Sequence, residues 1–250
     1  MNTKKIIRAF SALHIECHEE QAETFCRFYN LLVEKNKVMN LTRITDFDDF
    51  VIKHLADSLT PALLKQESPA LIDAFTQENT RILDLGTGAG FPGIPLAVMF
   101  EKPHYTLMDS LNKRIRFLEE AVAECSIDNV HLLHARAEEM GKNSTYRESF
   151  DIVTSRAVAN LSTLSEYALP MTKVGGCFIS YKGGDAAEEI RAAAHAIREL
   201  GGELSLTHEF ILPQTEAAEE IRRTLILIKK IRHTPKKYPR QPGMAQKNPL

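Results

Sequence analysis

The chain has 250 residues, 44% hydrophobic and 26% charged, which suits one or two globular domains with a sizeable core and excludes a disordered or fibrous protein. A formal net charge of −2 excludes a uniformly basic nucleic-acid binder. The charge is uneven, though: residues 229–250 hold seven Lys or Arg and no acid, leaving 24 Lys or Arg against 33 Asp or Glu elsewhere.

The first residues, MNTKKIIRAF, carry charge without an apolar core, so no secretory leader is expected. No run reaches the roughly 18 apolar residues of a membrane span. Cys17, Cys26, Cys125 and Cys177 form no CxxC pair, which suits a reducing compartment and gives no zinc motif. The expected location is the cytoplasm, without a membrane or metal partner.

Residues 1–65 read as a helical N-terminal extension. AETFCRFYNLLVEKNKVMNL spaces Phe25, Phe28, Tyr29, Leu32 and Val33 at helical intervals, and DDFVIKHLADSLTPALL does so with Phe50, Ile52, Leu55 and Leu59. The polar residues 66–80 mark a boundary.

From Arg81 strands and helices alternate. The strands RILDL, HYTLMD, NVHLLH, FDIVTS and GCFISYK each precede a helical stretch. Alternation of this kind predicts an α/β fold with a parallel, doubly wound sheet. ELSLTHEFILP and RRTLILIKKI follow with only a short polar connection, too short for a parallel crossover, and predict an antiparallel hairpin. The expected domain, residues 66–232, is therefore a mostly parallel seven-stranded sheet closed by a C-terminal antiparallel hairpin. The basic tail, 233–250, has four prolines and reads as extended or disordered on its own.

GTGAGFPGIP, between the first strand and its helix, is a nucleotide-type loop: glycines admit positive φ and close backbone approach, and free N–H groups point out of a helix start. Asp84 ends the first strand and Asp109 the second, where a carboxylate can hold ribose hydroxyls. Gly88, Gly90 and Gly93 match the GxGxxG of NAD-dependent oxidoreductases. However, Gly86 already occupies the first turn, and Pro92 and Pro95 sit in the helix start. The closing hairpin favours S-adenosylmethionine as the ligand.

ILDLGTGAGFPGIPLA, DSLNKRIRFL, ARAEE, FDIVTSRAVANLSTLSEYALP and TPKKYPRQPG, in this order and spacing, resemble the bacterial ribosomal RNA small-subunit methyltransferase G family from about Asn36 to the C-terminus. The resemblance implies a class I, Rossmann-like methyltransferase fold. It also implies methyl transfer from S-adenosylmethionine to N7 of a guanine in 16S ribosomal RNA. It assigns Gly86 and Phe91 to the donor loop, Ala137 and Glu138 to the pair beside the adenine, and Arg156 to the mouth shared by donor and substrate. With the loop reading, the expected donor site is Asp84, Gly86, Gly88, Gly90, Phe91, Asp109, Ala137, Glu138 and Arg156. The chain departs from the family at Lys35, where a Trp is common, and at Thr87, where Ser or Ala is.

The residues agree with that chemistry. No Cys follows a Pro, as a cytosine C5 nucleophile would require. SRAVA stands where amine methylases carry an Asp/Asn-Pro-Pro-aromatic run. Guanine N7 has a lone pair and no proton to lose, so alignment suffices and no catalytic base is expected; Arg156 is the best candidate for assistance. The target guanine is expected in a loop or locally opened helix, because the RNA major groove is deep and narrow. Lys113 and Arg114 oppose the helix dipole in a first turn, Lys182 follows a strand at the ligand-binding edge, and Lys236, Lys237 and Arg240 lie in the tail. These six are the candidate phosphate contacts. His14, His18, His54 and His131 show no ligand spacing and read as structural or surface residues. The expected partner is small-subunit ribosomal RNA, free, in a 30S particle or in an assembly intermediate. The alternative is a donor- or nucleotide-binding, RNA-associated regulator without transfer activity.

Overall fold

The computed structural model describes residues 2–156, 158–213 and 220–250. The N-terminal region is helical, as its periodicity predicts: Asn2–Ser11 (α1), Glu19–Met39 (α2), Phe47–Phe50 (α3), a π-helical turn at Val51–Ala56, Asp57–Leu59 (α4), a 3-10 turn at Thr60–Lys65, and Pro69–Ala74 (α5). Local chemistry sets these boundaries. Asn40 takes a left-handed conformation (φ 50°) that ends α2, and the Asn36 side chain accepts from the N–H groups of Leu41 and Thr42 at 2.7 and 2.9 Å. The Asp46 carboxylate caps α3 through Asp49 N–H at 3.0 Å.

Among the described residues seven strands form one sheet: Arg81–Leu85 (β1), His104–Asp109 (β2), Val130–His134 (β3), Phe150–Arg156 (β4), Thr172–Gly183 (β5), Gly202–Ile211 (β6) and Arg222–Lys230 (β7). Their order is β3-β2-β1-β4-β5-β7-β6. β1 to β5 are parallel neighbours, and β7 runs antiparallel to both β5 and β6. The connecting helices are Gly93–Met99 (α6), Asn112–Glu124 (α7), Ala137–Met140 (α8), Leu161–Ala168 (α9) and Ala187–Glu199 (α10), and Met244–Lys247 (α11) ends the chain. The expected mixed sheet and closing hairpin are both present.

Strand parity divides the core. Ile82, Leu107, Ile152 and Leu225 face a cluster that includes Phe10, Phe25, Phe28, Phe50 and Leu55 from the N-terminal helices. Leu83, Met108, Val153 and Ile226 face a second cluster with Leu164, Ile197 and Leu200. The N-terminal helices therefore pack on one side of the sheet together with α6 and α7, which contribute Ile94, Leu96, Phe117 and Leu118, and share its core. Rings hold the junction: Phe28 lies 5.6 Å from Phe91 and 6.2 Å from Phe117, and such pairs add about 0.5–1.5 kcal/mol each beyond area burial. The polar stretch 66–80 is not a free linker, because Leu71 and Phe75 within it are buried.

The tail corrects the expectation of an extended or disordered segment. Thr234, Tyr238 and Ala245 are buried. Arg147 donates to the carbonyls of Tyr238 and Thr234 at 2.9 and 2.7 Å. Fully buried Lys230 meets Leu169 O, Thr234 Oγ1 and the Glu148 carboxylate. Composition suggested disorder because prolines and cations cannot build a core themselves; here they borrow the body's core and its buried carboxylates.

Candidate functional site

The site lies at the carboxyl ends of β1, β2 and β4, where an open α/β sheet leaves a crevice. Asp109 and Arg156 end β2 and β4, and Asp84 is the penultimate residue of β1. They share the parity of Ile82, Leu107 and Ile152, and so sit on the face where the N-terminal helices, α6 and α7 pack.

The glycine loop is built as its sequence requires. Gly86, Gly88 and Gly90 have φ of 70°, 62° and 98°, a region that L side chains rarely adopt. Gly86 and Thr87 donate N–H bonds to Met108 O at 2.8 and 3.0 Å, so β2 fixes the loop's base. Asp84 is 1% exposed and lies behind the loop. Its Oδ2 accepts from Thr87 Oγ1 at 2.6 Å and Gly93 N–H at 2.8 Å, and Thr154 Oγ1 lies 3.3 Å from Oδ1. Burial pushes its pKa up to about 6, against the pull of those donors and of Arg156. Asp84 thus shapes the loop from beneath and does not line the cleft. Gly90 faces inward as well, where a Cβ would meet Ile94 and Leu118 at 2.6 and 2.9 Å.

Two clefts open above the loop. One is lined by Gly86, Asp109, Ala137, Glu138, Val158 and Tyr167; the other by Thr42, His54, Gly88, Phe91, Arg114 and Arg156. Both include Gly86, Asp109, Ser110 and Val158, so they meet over the loop. A Cβ at Gly88 would meet nothing within 4 Å. Bare backbone under an open, two-lobed cleft fits a long, thin ligand with a base at one end and a charged group at the other. S-adenosylmethionine has that form. Asp109 is the residue at the junction. Its Oδ2 accepts from Gly88 N–H and Arg114, both at 3.0 Å, and its Oδ1 from Leu111 N–H at 2.9 Å.

Arg156 is fixed on every side. Its guanidinium donates to Asp57 Oδ2 at 2.8 Å, Lys53 O at 3.0 Å and His54 Nδ1 at 3.0 Å, and lies over the Phe91 ring at 5.3 Å. His54 stacks on Phe91 with centroids 4.1 Å apart and planes 6° from parallel. Since Arg156 is a donor only, Nδ1 of His54 must accept, which puts the ring proton on Nε2, 2.8 Å from Thr42 Oγ1. Burial and the Arg156 charge hold the His54 pKa down to about 3. The π turn carries His54 into the cleft, turns the Lys53 carbonyl toward Arg156 and leads straight into Asp57, a placement common for such turns at functional sites.

The candidate phosphate contacts divide. Lys113 and Lys236 are exposed, and Lys113 Nζ reaches Met39 O at 3.2 Å. Arg114 sits at the cleft mouth beside Asp109. Lys237 pairs on the surface with Glu199 at 2.9 Å. Two expectations need correction. Lys182 is engaged by Glu189 at 2.6 Å and Ala159 O at 2.9 Å. Arg240 grips buried Glu166 through two nitrogens. Both charges are neutralised within the fold.

The sequence reading passes over Thr42, Asp57, Val158 and Gln246, and takes His54 for a structural or surface residue. For His54 and Asp57 a signal existed: two ionisable residues three apart on the buried face of a helical stretch. Val158 shows none, as its role comes from packing over Gly86, where a Cβ would meet its Cγ2 at 2.6 Å.

Among the described residues no group of His, Cys, Asp and Glu is arranged to hold a metal ion, and no helix is long and apolar enough to cross a membrane. The chain is 45% identical over its full length to the ribosomal RNA small subunit methyltransferase G of Lactobacillus johnsonii, and 46% identical to that of Limosilactobacillus reuteri, each also covered in full. A solved antibiotic-related methyltransferase, 12% identical, matches 64% of this chain and 92% of its own with a TM-score of 0.50, a likeness of fold. The sheet is that of the class I methyltransferases. The family model described as rRNA small subunit methyltransferase G matches residues 21–217, and the chain belongs to that family.

Proposed function

We propose that the chain methylates N7 of a guanine in 16S ribosomal RNA, using S-adenosylmethionine, in the cytoplasm. The observation that carries the choice of atom is the commitment of the ionisable groups at and around the cleft. His54 is held neutral with Nδ1 taken by Arg156, Asp57 is locked between arginines, Asp84 lies beneath the loop, Asp109 accepts from Gly88, Leu111 and Arg114, and Glu138 accepts from Gly243 N–H. Among the described residues none of these is free to remove a proton, and N7 has none to remove.

The donor supplies an electrophilic methyl group on a sulfonium. The chain supplies alignment and desolvation. Gly86 and Gly88 present backbone to the donor, Asp109 holds the junction, and Ala137 and Glu138 flank the base lobe. Phe91 and His54 form a flat apolar wall beside the second lobe, and Arg156, rigid above them, holds positive charge where the substrate enters. Exposed Lys113 and Lys236 offer charge to phosphates, and Arg114 is held at the cleft mouth by Asp109. The substrate is small-subunit RNA, free, in a 30S particle or in an assembly intermediate.

The test is methyl transfer from labelled S-adenosylmethionine to small subunits lacking the modification, followed by borohydride and aniline cleavage, which cuts at 7-methylguanosine. Label with one discrete cut is expected. Label without a cut would replace N7 with another atom. Donor binding without label on any of the three RNA forms would favour the regulator reading.

A further inference from the structure

The docked tail forms one wall of the base-side cleft. Gly243 and Gln246 line it opposite Ala137, Glu138 and Tyr167. Buried fastenings hold them there. Glu166, with a side chain 1% exposed, takes Arg240 through Nε at 2.9 Å and a second nitrogen at 2.6 Å. Thr163 Oγ1 donates to Ala245 O at 2.9 Å, and Ala245 is buried. Gly243 N–H donates to Glu138 Oε1 at 3.0 Å. The Glu138 carboxylate, on the residue placed beside the adenine, thus faces the tail. It also lies against the Tyr167 phenol, which burial and that carboxylate push up to about 12.

Gln246 differs from its neighbours. It is exposed on this wall, and its side-chain amide has no hydrogen-bond partner among the described residues. A primary amide carries one acceptor and one donor side by side. Adenine presents the complement: an amino donor next to a ring-nitrogen acceptor.

We propose that the C-terminal tail is part of the donor site and that the Gln246 amide reads the adenine edge, with Glu138 positioning it through Gly243. This rests on the cleft being the donor site. It assigns the end of the tail a task different from RNA contact: exposed Lys236 faces solvent, while Gly243 and Gln246 close the base lobe.

The test is calorimetric titration of the full chain with S-adenosylhomocysteine and with S-inosylhomocysteine, in which oxygen replaces the adenine amino group. The wild-type chain should prefer the adenine compound. Gln246→Ala, at an exposed position that does not support the fold, should weaken it about fivefold or more and shrink the preference over the inosine compound. Glu138→Gln, which keeps an acceptor for Gly243 N–H, should bind more tightly than Glu138→Ala. An unchanged affinity and preference in Gln246→Ala would overturn the role of the tail while leaving the donor cleft intact. Failure of the wild-type chain to bind either compound would overturn the donor assignment itself, and the tail's role with it.

Discussion

Asp57 Oδ2 lies 2.8 Å from the Arg156 guanidinium, across the junction between the N-terminal helices and the sheet. Its Oδ1 lies 3.1 Å from Arg223 on β7. One buried carboxylate therefore ties a helix to two strands and sets the direction of the cation at the cleft. Removing the charge leaves two arginines facing a neutral group. Asp57→Asn should lose about 3 kcal/mol of stability and slow methyl transfer by misplacing Arg156. Urea denaturation and single-turnover transfer check this. An unchanged denaturation midpoint would show that Lys53 O and His54 suffice to hold the arginine.

Gly86→Asp should abolish donor binding while the chain still folds. At φ 70° any L side chain is strained, and its Cβ would meet Val158 Cγ2 at 2.6 Å. Val158 is half-exposed and can shift, so the cost to the fold is modest. The new carboxylate would enter the junction of the two clefts, beside Asp109. Titration with S-adenosylhomocysteine reads the effect, and wild-type affinity in the variant would disprove the pocket.

These pairs mark where the sequence was legible and where it was not. The strand–glycine–helix run placed Asp84, Gly86 and Asp109 at one sheet edge, because alternation and turn chemistry are local. The parity of Asp84 and Arg156 followed once the strands were in register. The tail's path was not legible. Its anchors, Glu138, Glu148 and Glu166, lie 74 to 105 residues away from their partners in the chain, and composition carries no information at that range. For the same reason Arg240 reads as a free cation: nothing local announces that buried Glu166, 74 residues away, awaits it.

Lys236 and Arg240, four residues apart, should therefore respond differently. Lys236→Ala should weaken RNA binding and reduce the salt slope by about one unit, with stability unchanged. Arg240→Ala leaves buried Glu166 without a cation, with only the backbone N–H of residue 240 at 2.8 Å, which costs about 3 kcal/mol, and loosens the tail. Binding measured across salt concentrations, together with thermal melting, separates the two. A large melting shift in Lys236→Ala, or none in Arg240→Ala, would contradict the contacts described.

His54 makes a prediction with a definite sign. Its folded pKa is depressed to about 3, below the ordinary value of 6.5, by burial and by Arg156. Between these values the unfolded chain binds a proton at this position and the folded chain does not. Stability from this residue is therefore complete above about pH 6.5 and is lost as pH falls toward 3, at up to about 1.4 kcal/mol per pH unit. Asp84 acts in the opposite sense. Its pKa is raised from 3.8 to about 6, so the folded chain retains a proton there that the unfolded chain releases, and its contribution falls as pH rises through that window. Part of the two effects cancels in the wild-type chain between about pH 4 and 6. Comparing wild type with His54→Gln removes Asp84 from the difference. The wild-type advantage should grow as pH rises from 4 to 6.5 and then level off, measured by urea denaturation at each pH. A difference independent of pH would mean that His54 takes up its proton equally in the folded and unfolded chains, and with it that Arg156 does not hold Nδ1 unprotonated.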